Sequence, residues 1–388
     1  GQGKVYNFKN HIVVPGLIDV HVYLKEPGFN YIEDIVSGSK AAAHGGYSTI
    51  CCMPNLGTQA PTAGDLKFII DRAKQVGIVN ILPYSSITVN RDGVCELVNF
   101  DENAKYAFAF CDDGGITKSD KIMRQAMLEA KRVKKVICTR AEDLKYMQPN
   151  GSIHQCNFAK KNNIPYITSK SEWLQVGRYL NLAVKTRAQY HLCSVSCKES
   201  VNLIKVAKKL SKNISCEVTP HHLLLNCSMI DRDCGIYKVN PPLRNPEDQR
   251  ALIRGIKNGT IDMIATDHAP HSEEEKLCKF VNSTFGIASL DFAFPLLYTK
   301  LGEKNVINLS KLIHLMSINP AKRFKLPSNE IAVKKIANFM IFDPNTLTEI
   351  SKEMICSKSF ISPYLGTKCR GCVKFNVVNV KIVYQGKK

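Results

Sequence analysis

Four short stretches of the chain carry residues able to do metal-assisted or acid–base chemistry. The first is Asp19-Val20-His21-Val22-Tyr23. In a strand, His21 and Tyr23 point to the same face. A His-x-His there would offer two imidazoles to one metal, and here the second member is a phenol. The second stretch, Thr266-Asp267-His268-Ala269-Pro270-His271, closes an apolar run. An Asp at such a strand end can ligate a metal and serve as a general base; read alone, it caps a turn equally well. The third is Asp112-Asp113-Gly114, turn-like by itself, and the fourth is Thr219-Pro220-His221-His222. The paired His invites a metal reading, but neighbours on a strand face opposite ways, so one site would not take both.

These stretches lie at the ends of strand-like runs. Apolar, β-branched segments recur at residues 16–22, 47–53, 80–87, 106–112, 136–142, 189–195, 215–220 and 262–267. Helical spacing falls between them, at 40–44, 65–76, 121–133, 201–210 and 249–257. Eight strands alternating with helices predict parallel β/α units, closed as a (β/α)8 TIM barrel with chemistry on the C-terminal rim. An open doubly wound sheet is the alternative, but no GxGxxG follows any strand. Runs at 4–14, 336–342, 371–378 and 380–384 read as short strands outside the barrel. The expected organisation is therefore a barrel over 15–330 and a small β-domain from 1–14 plus 331–388.

Composition narrows the class. The chain has 388 residues, 44% hydrophobic, 22% charged and 8% aromatic, which is globular. No uncharged apolar run reaches the roughly 18 to 20 residues of a membrane helix. The opening Gly1-Gln2-Gly3-Lys4 is polar and lacks Met, which reads as no signal peptide and as a processed end or a domain cut from a longer chain. Lys and Arg total 53 against 34 acids, a net charge of +19. The excess is mostly lysine and dispersed, densest at Lys131-Arg132-Val133-Lys134-Lys135. Phosphate readers concentrate charge and use arginine forks, so nucleic acid is not the expected partner. The 15 cysteines are irregularly spaced and only one CxxC occurs, Cys369-x-x-Cys372. That argues against a zinc ribbon and for reduced thiols in a cytoplasmic setting.

Several segments together resemble the dihydroorotase family. His21-Val-Tyr-Leu-Lys-Glu-Pro-Gly28 is similar to the family's HVHLREPG signature. AAAHGG (41–46), CCMPN (51–55), FCDDG (110–114), CEVTPHHL (216–223), KVNPPLR (238–244), ATDHAPH (265–271) and NPAK (319–322) follow in family order. NPPLR and ATDHAPH favour the bacterial type I enzymes over allantoinase and dihydropyrimidinase. The resemblance implies an amidohydrolase barrel with a β-sandwich from both termini. It also implies closure of carbamoyl aspartate to dihydroorotate in pyrimidine synthesis. In active members zinc, held by four His and two Asp, activates a hydroxide, and the Asp after the eighth strand shuttles the proton.

Carried over residue by residue, the ligand set is degraded. The HxH positions are His21 and Tyr23, and the fourth-strand Asp is Asp113. The fifth-strand His of H-x-E-D falls on Arg140, before Glu142 and Asp143. The sixth-strand His of HxxHVS falls on Ser194, after His191, and the eighth-strand Asp is Asp267. Three of the four imidazoles are gone. On the substrate side, the family's carboxylate-binding Arg is Lys25, which keeps charge but loses the fork. Asn55 and His271 are kept. Gly-Leu-Glu after the eighth strand has become Ser289-Leu290-Asp291, and Phe285 stands where a Pro would be and is expected to narrow the pocket.

The expectation is a catalytically silent dihydroorotase-like protein, without zinc, in which Asp267 is vestigial. Its role would be structural or regulatory towards aspartate transcarbamoylase or within a pyrimidine multienzyme, as a homo-oligomer or a complex. The alternative is an active zinc enzyme with an unusual or single-metal site on His21, Asp113 and Asp267, with Tyr23 as a fourth ligand. A third possibility is an amidohydrolase of other specificity or a basic-surface binding module. His21, Asp113, Arg140, Ser194 and Asp267 are expected to converge at one barrel mouth, with Arg140 bringing its cation to the metal's position.

Overall fold

Buried runs of β-branched and apolar residues form parallel strands because both faces of a barrel wall are covered. In the computed structural model, which describes residues 5–54, 61–94, 96–113 and 119–386, β1 spans Ile12–Pro15 and β2 spans Leu17–Val22. All six residues of β2 are buried, as are all six of β3, Tyr47–Cys52. β2, β3 and β4 (Asn80–Pro83) form one parallel sheet. A second joins β5 (Ile137–Thr139), β8 (Tyr190–Leu192), β9 (Ile214–Val218) and β10 (Met263–Ile264). Between β5 and β8 lies a two-stranded parallel pair, β6 (Ile153–His154) and β7 (Tyr166–Ile167).

Single bridges close the ring. Phe110 bridges Ser85 on one side and Ile137 on the other, and His268 bridges Val22. The circuit therefore has eight positions, as a TIM barrel requires. Most expected strands are shorter than their apolar runs, the fifth and sixth reduced to Ile137–Thr139 and Tyr190–Leu192, and in the third, fourth and eighth a carboxylate accounts for the end. The third stops at Pro83, and the amides of Ile87 and Thr88 donate to the Asp112 carboxylate instead of to a strand. The fourth run, 106–112, has only the Phe110 bridges for the same reason, since Asp112 turns back to hold that loop. The eighth ends at Ile264, and the Thr266 amide donates to Asp19.

Helices follow their patterns and caps. Asp120–Arg132 buries Met123, Ala126, Met127 and Ala130 on one face, starts at Ser119, which caps the Ile122 amide, and ends on Lys131 and Arg132. The helix Lys170–Thr186 escapes the apolar pattern because Glu172 and Gln175 lie on its buried face. Glu172 is matched there by the Ser196 amide (3.0 Å) and Arg244 (3.4 Å). His221 and His222 sit on a short helix, Pro220–Leu224, rather than on a strand. Their rings serve packing: His222 bonds Thr219 and the Pro241 carbonyl, and His221 faces the Tyr364 hydroxyl.

The chain's two ends meet in an antiparallel sheet ordered β1, β11 (Phe339–Glu349), β12 (Lys368–Val378), β13 (Lys381–Gln385). The sheet shares the barrel's apolar core through Met340, Phe342, Val373 and Val378. Phe342 meets Phe294 and Tyr298 edge-on, each with ring centroids 5.1 Å apart, contacts that contribute about 1 kcal/mol apiece. Gly46 turns the chain into β3 at φ +87°, where a Cβ would collide with Met340. Asn376 in β12 donates to the carbonyls of Ala43 and Tyr47, fixing the sheet to the end of the first helix, Ile35–His44. Among the described residues no helix is long and apolar enough to cross a membrane, and all described cysteines are free thiols.

Candidate active site

The rim where the barrel strands end carries a continuous polar network. Asp19, in β2, accepts from the amides of His21 and Thr266, both 3.0 Å away. That carboxylate fixes the first strand against the Asp267 loop. Asp113, Ser194, Asp267 and Lys25 all have positive φ, between 41° and 56°. Left-handed backbone at non-glycine residues is costly and clusters where a fold must aim a side chain. Here it turns the chain sharply at or just beyond the ends of four barrel positions.

His21 is the centre of the network. Its Nδ1 donates to Glu217 Oε1 at 2.6 Å, and its Nε2 lies 3.3 Å from both Asp267 Oδ1 and the Tyr23 hydroxyl. Tyr23 in turn donates to Asp113 Oδ1 at 2.6 Å. Arg140 Nη1 approaches the same Asp113 oxygen at 4.0 Å. On the inner side, His191 Nε2 donates to Glu217 Oε2 at 3.0 Å, and Ser215 donates to its Nδ1. Burial works against the imidazolium of His21, but Asp267 and Glu217 outweigh it and raise its pKa to about 10. Burial pushes Asp267 up to about 6, with His21 and Arg140 opposing. Burial likewise opposes the Arg140 charge, yet Asp113, Tyr23, Glu142 and Asp267 hold its pKa above the ordinary value. Burial keeps the Tyr23 phenol protonated.

A cavity of about 340 Å³ opens over this network, lined by Tyr23, Lys25, Asp113, Arg140, Asp267 and His271, with Asn240, Phe285 and others on its outer wall. Lys25 stacks over the Tyr23 ring, 4.9 Å from its centroid. His271 donates from Nε2 to the Phe285 carbonyl at 2.9 Å. The outer wall is held by two buried lysines: Lys238 donates to the Phe280 and Ser283 carbonyls, and Lys276 to those of Lys238 and Thr284.

Four of the five residues expected to converge are thus within one network: His21, Asp113, Arg140 and Asp267. Arg140 faces inward, as its pairing with Asp113 requires. Ser194 follows β8 and is buried, but its hydroxyl has no hydrogen-bond partner and it does not line the cavity. Asn55 lies outside the described residues. Asp112 serves the loop at Ile87 and Thr88 rather than the mouth. Glu217 and His191 were not singled out from sequence, although a fully buried acid inside a strand is itself a signal. Asn240, which donates to Glu142 at 3.2 Å, was missed as well.

The two-zinc donor set of the resemblance does not fit these residues. One imidazole remains at the family's positions, a protonated phenol occupies another, and a guanidinium stands beside Asp113. Beneath the mouth, however, His21, Cys193 and Glu217 offer nitrogen, sulfur and oxygen atoms within 4.8 Å of one another, a set able to hold one ion.

Comparison with known proteins agrees with the fold and with the family that the motifs resemble. The family described as Dihydro-orotase-like matches residues 10–200. A dihydroorotase of Brevibacillus brevis is 41% identical over 377 residues, covering 96% of this chain and 88% of that protein. A dihydroorotase of Lactobacillus delbrueckii subsp. bulgaricus is 42% identical over 386 residues, covering 98% and 90%. Among solved structures, the L-hydantoinase (dihydropyrimidinase) of Arthrobacter aurescens superposes with a TM-score of 0.86 at 23% identity, covering 97% of this chain and 86% of that one. The dihydropyrimidinase of Brevibacillus agri gives 0.83 at 21%, covering 98% and 86%. The hydantoinase likeness carries the fold, a TIM barrel with terminal β-structure, and the closer sequence relatives carry the family: the chain belongs to the dihydroorotases of the amidohydrolase superfamily.

Proposed function

We propose that this protein serves pyrimidine biosynthesis as a catalytically silent dihydroorotase homologue in the cytoplasm, with a structural or regulatory role towards aspartate transcarbamoylase. The observation that carries the reading is Arg140 beside Asp113, with Tyr23 donating to the same carboxylate. A dinuclear centre needs those oxygens free for cations. Here a guanidinium and a phenol already compensate them. Asp267, the family's proton shuttle, is compensated by His21. A cavity edged by Lys25 and Arg140 retains positive charge suited to a carboxylate ligand, so loss of turnover need not mean loss of binding. A retained fold without turnover is accounted for by assembly, either as a homo-oligomer or with the transcarbamoylase. The dispersed lysine excess does not favour a nucleic-acid partner.

The test is cyclisation of carbamoyl aspartate by purified protein with zinc supplied and with chelator. No chelator-sensitive turnover, together with co-purification of aspartate transcarbamoylase from the native host, is the expected result. Chelator-sensitive turnover would overturn it in favour of a second reading, an active enzyme with a single-metal site. The approach of His21 Nε2 to Asp267 Oδ1 and to the Tyr23 hydroxyl, 3.3 Å each, with Tyr23 in turn on Asp113, is the observation that favours that alternative, an ion on His21, Asp113 and Asp267 with Tyr23 as a fourth ligand.

A further inference from the structure

A cleft of about 600 Å³ lies away from the mouth, where the end of the first helix and the segment after the eighth barrel strand meet the terminal sheet. Three side chains of different chemistry converge in it. His44 is the last residue of the helix Ile35–His44. Asp291 ends the altered Ser289-Leu290-Asp291 stretch. Cys356 lies in the connection between β11 and β12. A ring nitrogen, a carboxylate oxygen and the thiol sulfur of these residues all lie within 4.8 Å of one another.

The arrangement is built rather than incidental. The Cys356 amide donates to Asp291 Oδ1 at 2.6 Å, which fixes the carboxylate against the connection. His44 Nδ1 lies 3.0 Å from the Asp291 carbonyl and 3.9 Å from Oδ1. The Tyr384 ring packs edge-on against the His44 ring at 5.0 Å, limiting how it can turn. Asn376 of β12 bonds the Ala43 carbonyl and so fixes the helix end that carries His44. Asp291 is 2% exposed, yet its Oδ2 has no nitrogen or oxygen donor, and burial together with this carboxylate pushes the neighbouring Cys356 thiol up to about 11. A buried carboxylate oxygen left without a donor is costly. A cation at that oxygen would remove the cost.

We infer that His44, Asp291 and Cys356 form a binding site for a divalent transition-metal ion of the zinc class, separate from the barrel mouth. The donor set decides the class. Thiolate and imidazole exclude calcium and magnesium as preferred occupants, and the mixture of nitrogen, oxygen and sulfur suits zinc or cobalt in tetrahedral geometry. Three protein ligands leave the fourth position to water from the open side of the cleft. Binding deprotonates the Cys356 thiol, and that proton goes to solvent, so affinity rises with pH. The site does not depend on whether the mouth is silent.

Cobalt(II) titration of the whole protein tests it, because thiolate ligation gives a sulfur-to-cobalt charge-transfer band that carboxylate and imidazole ligation do not. The expected result is such a band, displaced by zinc, present in the unmodified protein and in Cys193→Ser, and lost in Cys356→Ser. Asp291→Asn should weaken binding by about tenfold or more, a loss of about 1.4 kcal/mol, and zinc should raise the Tm of the unmodified protein but not of Cys356→Ser. Circular dichroism checks that each variant is folded, and Asp291→Asn provides a second reading should Cys356→Ser fail to fold. No band in the folded, reduced protein, or a band that survives Cys356→Ser, would overturn the proposal. Loss of the band in Cys193→Ser alone would place the ion in the barrel interior and overturn it equally.

Discussion

The barrel mouth and the side cleft both gather carboxylates beside a histidine, and they handle the charge in opposite ways. In the mouth, Asp113 receives a hydroxyl from Tyr23 and faces Arg140, while Asp267 faces His21. Each anion there has a protein partner, so an added cation would have to displace one. In the cleft, Asp291 keeps an oxygen with no donor beside a thiol and an imidazole. The mouth, where the resemblance places the family's metal, is thus self-compensated, and the buried carboxylate oxygen that lacks a nitrogen or oxygen donor lies outside it. What decides metal affinity is whether donor atoms remain uncompensated, not how many carboxylates are present.

The largest effect should come from converting the mouth to the other condition. Tyr23→His, Arg140→His and Ser194→His together restore the imidazoles and remove the resident cation, and should bring tightly held zinc, measured as metal retained after dialysis. Arg140→His alone should gain little. If the triple variant folds and holds no zinc, absence of imidazoles does not explain the mouth.

Removing the cation without supplying a ligand should destabilise. Arg140→Met leaves Asp113 and Asp267 facing each other without the guanidinium, at a cost of about 3 kcal/mol in denaturant unfolding near neutral pH. Arg140 helps to hold the Asp267 pKa down to about 6, so without it Asp267 takes up its proton at a higher pH, and the cost should fall as pH drops towards about 6 and level off below it, where both proteins carry that proton. A pH-independent cost would mean that Arg140 acts by packing alone.

A third effect concerns the outer wall over the mouth. Burial lowers the pKa of Lys276 from 10.5 to about 7. Between those values the unfolded chain binds a proton that the folded chain does not, so stability should rise with pH across that window. Lys276→Met should flatten the slope, as followed by urea unfolding at pH 7.5 and pH 9.5, within the window set by the folded value of about 7. An unchanged slope would show that the lysine stays charged in its carbonyl cage.

The smallest effect belongs to the cleft. Without added metal, Asp291→Asn keeps the acceptor for the Cys356 amide and removes a buried charge, so stability should change by less than about 1 kcal/mol, or rise. A loss as large as that of Arg140→Met would mean that Asp291 is already compensated, and the contrast between the two regions would fail.

The barrel and its rim were legible in the order of residues. Alternation of apolar runs with helical spacing pointed to the strand positions, and the order of short motifs pointed to the family and to His21, Tyr23, Asp113, Arg140, Ser194 and Asp267, of which Tyr23, Arg140 and Ser194 depart from the family's pattern. Motifs are local, so they are read from a few neighbouring residues. Which charges meet was settled by the folded packing. Glu217 lies far along the chain from His21 yet accepts from His21 on one oxygen and from His191 on the other, because barrel closure brings strands from distant sequence to one axis. The same packing decided that Ser194, though at the right strand end, stays out of the cavity. The helix Lys170–Thr186 was illegible because its buried face carries Glu172, whose partners Ser196 and Arg244 become neighbours only on folding. The same reason hid the cleft: His44, Asp291 and Cys356 belong to no common pattern, and only the packing of the terminal sheet against the barrel brings their donor atoms together.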